Sequence, residues 1–207
     1  MTDQSGIKGR ITELLQQIWR SDAFALRETD RTKRLRPEIL KRLLGLVMTD
    51  DERAADLGLP EGCRVRESAK IIMPENLDCG QHVWIGENAI VDASGGVGIG
   101  EHSTIATGVF VWSHTSALSS IMGNNQPGNP YIRRQSTRIG KHSFIGGPSV
   151  IYPGVSVGDR VVVLPMSVVT EDVPDNTMVG GAPANAIRKI DEAWIQEQLA
   201  ALRAEKA

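Results

Sequence analysis

Apolar residues recur at helical spacing over the first quarter of the chain. They form one stripe in residues 11–19 and a second in PEILKRLLGLV, where Pro37 suits the first turn of a helix. Asp50 or Asp51 can cap a third, short helix that runs through Asp56. The pattern therefore predicts a helical N-terminal region over residues 1–64.

From about residue 65 the helical stripes give way to aliphatic residues at six-residue intervals. The longest unbroken series consists of Ile139, Ile145, Ile151, Val157, Val163 and Val169. The same frame holds at Ile99, Ile105 and Val111, and again at Val65, Ile71, Leu77 and Val83. Between these two groups, Ile85, Val91 and Val97 lie two residues out of phase, which predicts a slip near Gly95–Gly96.

A period of six fits neither a helix nor a simple amphipathic strand. It is typical of short β segments joined by tight turns, three to a coil, in which each coil hydrogen-bonds to the next. The frequent glycines supply turn conformations that other residues adopt only at a cost. We therefore expect a parallel β-solenoid over residues 65–190.

Two segments depart from the six-residue frame. Residues 117–138 are rich in Gly, Asn, Ser and Pro, which predicts an extruded loop, and a loop of this length in a regular stack is often functional. Residues 191–207 have a helical pattern with Asp191 as the N-cap and an apolar stripe, which predicts a C-terminal helix.

Composition narrows the class of protein. The net charge of −2 over 207 residues does not favour a nucleic-acid binder, and 41% hydrophobic with 23% charged residues argues against wholesale disorder. Two cysteines, Cys63 and Cys79, are too few for a disulfide scaffold. The opening MTDQSGIKGR has no signal-peptide character, and no apolar run is long enough for a membrane span. The expectation is a soluble, cytoplasmic protein.

The stretch RIGKHSFIGGPSVIYPGVSVGDRVVVLPMSVVTEDVPDNTMVGGAPANAIRKI resembles the C-terminal half of hexapeptide-repeat acyltransferases. The likeness is closest to bacterial sugar O-acetyltransferases of the maltose/galactoside and polysaccharide-modifying type, and it covers roughly residues 65–190. Three features carry it: the hexads, a histidine followed by a long loop, and the closing GAPANAIRK signature. The resemblance implies a left-handed parallel β-helix and a homotrimer. It also implies acetyl-CoA as the acyl donor, bound between neighbouring subunits.

Acyl transfer from a thioester requires a base for the acceptor's proton, and histidine is suited to this at neutral pH. Of the four histidines, His102 and His142 occupy equivalent turn positions in IGEHST and IGKHSF, and His82 lies at another coil edge. His114 ends the segment VFVWSH immediately before the predicted loop. In the resembling family this is the position of the catalytic base, so His114 is the candidate.

The resemblance also implies binding residues. Asp92 and Ser94 correspond to positions near the acceptor, and Asp92 is also a candidate to orient His114. Coenzyme A is expected to contact the chain through its pantetheine arm and its phosphates. The corresponding positions are Gly146, Gly147, Pro165, Ser167 and Thr170 for the arm, and Arg188 and Lys189 for the phosphates.

Other functions share the solenoid. A γ-class carbonic anhydrase needs closely spaced histidines to bind zinc, and the gaps here are 20, 12 and 28 residues, so no metal is expected. A non-catalytic assembly module is a second alternative, and an N-acetyltransferase acting on a nucleotide-linked amino sugar is a third. The favoured interpretation is acetyl transfer to a hydroxyl of a sugar or polysaccharide precursor, with no metal, nucleic acid or membrane span.

Overall fold

The computed structural model describes residues 4–20, 29–126 and 128–205. The chain separates into two compact units, Met1–Met48 and Thr49–Ala207. No helix in the described part of the chain is long and apolar enough to cross a bilayer.

The first unit contains helices α1 (Gln4–Arg20) and α2 (Asp30–Gly45). The Arg36 guanidinium carbon of α2 lies 5.8 Å from the centre of the Trp19 ring of α1. Helix α2 begins well before Pro37, because the Thr29 side chain caps it by accepting the Thr32 N–H at 3.1 Å. The expectation that Pro37 lies in the first turn is therefore wrong; this proline lies inside the helix.

The second unit is a solenoid of short strands that form three sheets, here called faces 1, 2 and 3. Face 1 contains β1 (Arg64–Val65), β4 (Trp84–Ile85), β7 (Thr104–Ile105), β12 (Phe144–Ile145), β15 (Val162–Val163), β17 (Thr177–Gly180) and β18 (Asn185–Lys189). Face 2 contains β2 (Lys70–Ile72), β5 (Ile90–Asp92), β8 (Phe110–Val111), β13 (Val150–Ile151) and β16 (Val168–Val169). Face 3 contains β3 (Leu77–Cys79), β6 (Val97–Ile99), β11 (Thr137–Ile139) and β14 (Ser156–Val157).

Pairing within each face is parallel, except that β18 returns antiparallel to β17. The predicted parallel β-solenoid is confirmed. Helix α3 (Asp50–Asp56) groups with it, since Ala54 is buried in the solenoid core and Arg53 Nε donates to the Val65 carbonyl at 2.7 Å. At the other end, Asp191 caps α5 (Glu192–Ala204) by accepting the Trp194 N–H at 2.9 Å, as predicted.

The core is a stack of aliphatic side chains from the parallel strands of the three faces, and most of them are almost completely buried. Small polar residues fill the corners and join consecutive coils. Ser143 is typical: its hydroxyl donates to the Gly158 carbonyl at 2.9 Å and accepts the Val161 N–H at 3.0 Å. Serine is small enough for the corner and satisfies backbone groups that the turn leaves unpaired.

Departures from the six-residue step concentrate at the edge where the chain passes from face 2 to face 3, here called edge 2–3. In each coil, one core residue precedes this edge on face 2 and one follows it on face 3. From the first coil to the fourth, these pairs are Ile71 and Cys79, Val91 and Ile99, Val111 and Ile139, and Ile151 and Val157. The steps are therefore 8, 8, 28 and 6 residues.

The predicted slip near Gly95–Gly96 lies at this edge, in the second coil. The sequence missed an equal slip in the first coil, where a 3₁₀ turn covers Pro74–Asn76. It was hidden because Leu77 and Cys79, two residues apart, both suit a core position; Cys79 is the one aligned with Ile99. The solenoid therefore departs from its six-residue repeat at edge 2–3. His114 lies at this edge in the third coil.

Candidate active site

His114 begins the excursion at edge 2–3. It forms the two-residue strand β9 (His114–Thr115), which pairs antiparallel with β10 (Arg133–Arg134). The loop between these strands contains the short helix α4 (Ala117–Ile121). The histidine side chain is 31% exposed, so one part of the ring is held by the protein and another part faces outward.

Asp92 and Ser94, in the preceding coil, both contact the imidazole of His114. The Asp92 carboxylate is completely buried, and its Oδ2 hydrogen-bonds His114 Nδ1. Ser94 Oγ lies 3.0 Å from the same nitrogen, and the Ser94 N–H donates to Asp92 Oδ1 at 3.2 Å. The structure therefore brings together three of the residues singled out from the sequence, and Asp92 takes the orienting position.

Ser113 fixes the backbone on which this group rests. Its buried hydroxyl donates to the Asp92 carbonyl at 2.5 Å and accepts the Gly95 N–H at 2.7 Å. A Cβ on Gly95 would overlap the Ser113 carbonyl oxygen, so the two coils approach too closely here for any other residue. The corner of the second coil at edge 2–3, which is two residues longer than the regular repeat, is thereby held against His114.

These contacts define the chemistry available to the ring. A buried carboxylate is an acceptor, so the proton of a neutral imidazole lies on Nδ1 and the lone pair on Nε2. Nε2 has no hydrogen-bond partner among the residues that the structure describes. A histidine held in this way can take a proton from a ligand hydroxyl or amine while the carboxylate stabilises the imidazolium that forms.

An aromatic surface adjoins the base. The rings of Phe110 and Trp112 are stacked with centroids 6.0 Å apart, and Trp112 meets His114 edge to face at 6.4 Å. Sequence reasoning missed Trp112, although alternation along a strand places residues 110, 112 and 114 on one side. An amphipathic ring such as a sugar can pack its C–H face on such a surface.

The other three histidines form a separate column at the edge between faces 3 and 1. His82, His102 and His142 all have positive φ, between 56° and 57°, and their rings are stacked at 4.7 and 5.4 Å. Stacked rings do not converge on a single point. Within the described residues, no group of three or more His, Cys, Asp or Glu side chains could hold a metal ion.

Most of the residues expected to bind coenzyme A lie away from the edge that carries His114. Gly146 and Gly147 follow β12, and Pro165 and Ser167 follow β15, so all four lie at the edge between faces 1 and 2, here called edge 1–2. Thr170, which follows β16, lies at edge 2–3.

Close packing between coils explains the glycine pair: a Cβ on Gly147 would overlap the Thr107 carbonyl oxygen. The Ser167 hydroxyl is buried and donates to the Leu164 carbonyl at 2.5 Å, so it stabilises the corner of the coil. A ligand at this edge would therefore contact atoms next to the hydroxyl and not the hydroxyl itself.

Arg188 and Lys189 are exposed on β18. The Arg188 guanidinium carbon lies 5.8 Å from the centre of the Trp194 ring of α5. Within a single chain, the cations Arg188 and Lys189, edge 1–2 and His114 do not lie together at one site. A surface groove of about 730 Å³ lies over face 3 and is not lined by His114.

Comparison with known proteins agrees with this architecture. Residues 79–113 and 136–164 match the family description "Hexapeptide repeat of succinyl-transferase". The chain is 30% identical over 127 residues to WcaF of Escherichia coli, named as a colanic acid biosynthesis acetyltransferase, with 60% of this chain and 65% of WcaF covered. It is also 30% identical over 134 residues to the galactoside O-acetyltransferase of the same organism, with 62% and 64% covered.

A hexapeptide-repeat-containing acetyltransferase of Vibrio cholerae superposes with a TM-score of 0.67 at 25% identity, over 79% of this chain and 95% of that one. That protein is also known in complex with acetyl coenzyme A. The chain spans less than two thirds of the length of both Escherichia coli relatives.

The six-residue repeats and the three-faced stack define a hexapeptide-repeat solenoid fold. The matches to acetyltransferases confirm the resemblance predicted from the sequence, which is to the sugar acetyltransferases of this repeat class.

Proposed function

We propose that this protein is an acetyl-CoA-dependent acetyltransferase that acetylates a hydroxyl of a sugar or polysaccharide precursor, with His114 as the general base. The observation that carries the proposal is the buried Asp92 carboxylate on His114 Nδ1, which presents Nε2 beside an aromatic surface at the edge of the extruded loop. The similarity to acetyltransferases, one of them known with acetyl coenzyme A, supports the donor.

The reaction is a direct transfer within a ternary complex. His114 Nε2 takes the proton of the acceptor hydroxyl as its oxygen attacks the thioester carbonyl. The tetrahedral intermediate collapses, the carbon–sulfur bond breaks, and the imidazolium returns the proton to the departing coenzyme A thiolate. The donor is already activated, so no covalent acetyl-enzyme is required.

The placement of the two residue sets supports a site shared between copies of the chain. His114 lies at edge 2–3 and the pantetheine candidates Gly146, Gly147 and Pro165 at edge 1–2, with face 2 between them. Five or six residues of extended chain separate these edges, roughly 15–20 Å. In a homotrimer, edge 1–2 of one copy would face edge 2–3 of its neighbour, with Arg188 and Lys189 near the coenzyme phosphates. Light scattering tests the trimer.

The test of activity is thiol release from acetyl-CoA with a panel of neutral sugars, amino sugars, acidic sugars and serine, followed by mass spectrometry of the products. Acceptor-dependent release with a gain of one acetyl group on a sugar oxygen supports the proposal. An amide product on an amino sugar would replace it with N-acetyl transfer. Release on no acceptor would overturn it in favour of a non-catalytic solenoid.

A further inference from the structure

Arg134 lies directly across from the candidate base. Strands β9 and β10 are antiparallel, and the register pairs Arg134 with His114 and Arg133 with Thr115. Side chains directly opposite one another in an antiparallel pair emerge on the same face of the ribbon, with Cβ atoms about 4.5–5.5 Å apart. Arg134 and His114 therefore share one face, and Arg133 and Thr115 share the other.

The charge of Arg134 has no partner in the described part of the chain. Both arginines are exposed, and neither forms an ion pair with a described residue. The carboxylate that contacts His114, Asp92, is buried and hydrogen-bonded to the imidazole. Arg134 thus presents a cation beside the ring that receives the acceptor's proton.

The coenzyme phosphates are a poor match for this cation. The thioester carbonyl must reach the acceptor beside His114, and the phosphates lie at the far end of the pantetheine arm from the thioester. An anion within reach of Arg134 therefore belongs to the other substrate. A guanidinium binds carboxylate or phosphate oxygens through two parallel hydrogen bonds, which fixes orientation as well as position.

We propose that the acceptor is an anionic sugar, and that Arg134 binds its carboxylate or phosphate group while the reacting hydroxyl lies at His114 Nε2. This inference rests on the proposed function and narrows its substrate class. Arg134 would be a specificity-determining residue that discriminates charged from neutral acceptors.

The experiment compares matched acceptors with acetyl-CoA as donor: methyl glucoside, methyl glucuronide, glucose 1-phosphate and a nucleotide-linked glucose. The wild-type full-length protein and the variants Arg134→Gln, Arg134→Lys and Arg133→Gln are assayed at low and high salt. We expect wild-type kcat/KM to be at least about tenfold higher for a charged acceptor than for methyl glucoside. A preference for methyl glucuronide would identify the anion as a carboxylate, and a preference for the phosphorylated sugars would identify it as a phosphate.

Arg134→Gln should remove that preference by raising the KM for the charged acceptor, while the acetyl-CoA KM and the kcat/KM for the neutral sugar should change far less. Arg134→Lys should retain part of the preference. Arg133→Gln carries the same charge change on the opposite face of the ribbon and should retain all of it. High salt should weaken the preference in the wild type, in Arg133→Gln and in Arg134→Lys, and should have no preference to weaken in Arg134→Gln.

Three results would overturn the inference. One is equal wild-type efficiency on neutral and charged acceptors, and another is an equal loss on both in Arg134→Gln. The third is a rise in the acetyl-CoA KM in that variant, which would assign the cation to the coenzyme. If methyl glucoside is acetylated in any of these cases, the proposed acetyltransferase function still holds and only the anionic acceptor is refuted. If no acceptor is acetylated, the proposed function and the anionic acceptor are both refuted.

Discussion

The completely buried carboxylate of Asp92 hydrogen-bonds Nδ1 of His114, 22 residues further along the chain and one coil away. Two irregular corners at edge 2–3 produce this contact, because the second coil has two extra residues and the third coil opens into the loop. The regular repeat forms the scaffold, and its interruptions assemble the candidate base with the group that orients it.

Replacing Asp92 with asparagine should impair this base without changing its surroundings. An amide can donate to Nδ1, which favours the tautomer with its proton on Nε2 and leaves no base toward the acceptor. We expect kcat to fall by about 10-fold to 10⁴-fold, with little change in the acetyl-CoA KM. Steady-state kinetics with a confirmed acceptor measures both constants.

The matched control is Ser94→Ala, which removes the second contact to Nδ1 and leaves the carboxylate in place. Ser94→Ala should lower kcat less than Asp92→Asn does. Wild-type kcat in Asp92→Asn, with a folded protein by circular dichroism, would refute the orienting role of the carboxylate.

Close approach between coils predicts a stability effect at Gly147. Alanine there would push its Cβ into the Thr107 carbonyl oxygen, which belongs to the backbone of the neighbouring coil and has little room to move. We expect a loss of about 1–3 kcal/mol or more in the free energy of unfolding, measured by urea titration at one protein concentration. Gly98→Ala is the control, since its nearest neighbour would be Arg138 Cγ at 3.8 Å. Equal midpoints for both variants would contradict this account of the corner.

The solenoid could be predicted from the sequence because each coil repeats one aliphatic position every six residues. Asp92 could be weighed as a partner of His114 because it lies about one coil earlier. The contact itself could not be derived, since the step at edge 2–3 varies and a shift of two residues moves a side chain away. Arg134 was not identified, because the loop has no period and its antiparallel pairing with His114 depends on tertiary structure.

Arg188 and Lys189 give a prediction for the coenzyme. Both are exposed on β18, and phosphate contacts of this kind are similar in the ground state and the transition state. The double variant Arg188→Ala/Lys189→Ala should therefore raise the acetyl-CoA KM far more than it lowers kcat. The effect should be smaller with the 3′-dephosphorylated coenzyme. Equal losses for the two coenzymes would remove these residues from the phosphate site.

The thiol of Cys79 should be unreactive in the folded protein. Burial, together with the neighbouring Cys63, raises the pKa of Cys79 from 9.0 to about 12. Because the folded state favours the neutral thiol, this group's contribution to stability is fully present below pH 9 and is lost as the pH rises toward 12.

At pH 8, iodoacetamide should modify Cys79 at least about 100-fold more slowly in the native protein than in urea, as followed by peptide mass spectrometry. Similar rates in the two states would contradict the shifted pKa.

The central claim is that His114 is the general base, and steady-state turnover of single histidine variants tests it most directly. His114→Ala should lower kcat by roughly 10²–10⁴-fold with little change in coenzyme affinity, because the imidazole serves the acceptor's proton. His102→Ala and His142→Ala, in the separate stacked column, should keep nearly full turnover. Double-reciprocal plots for the wild type should intersect, as a ternary complex requires. If His114→Ala keeps more than about a tenth of the wild-type kcat, the base lies elsewhere and the assignment of this site fails.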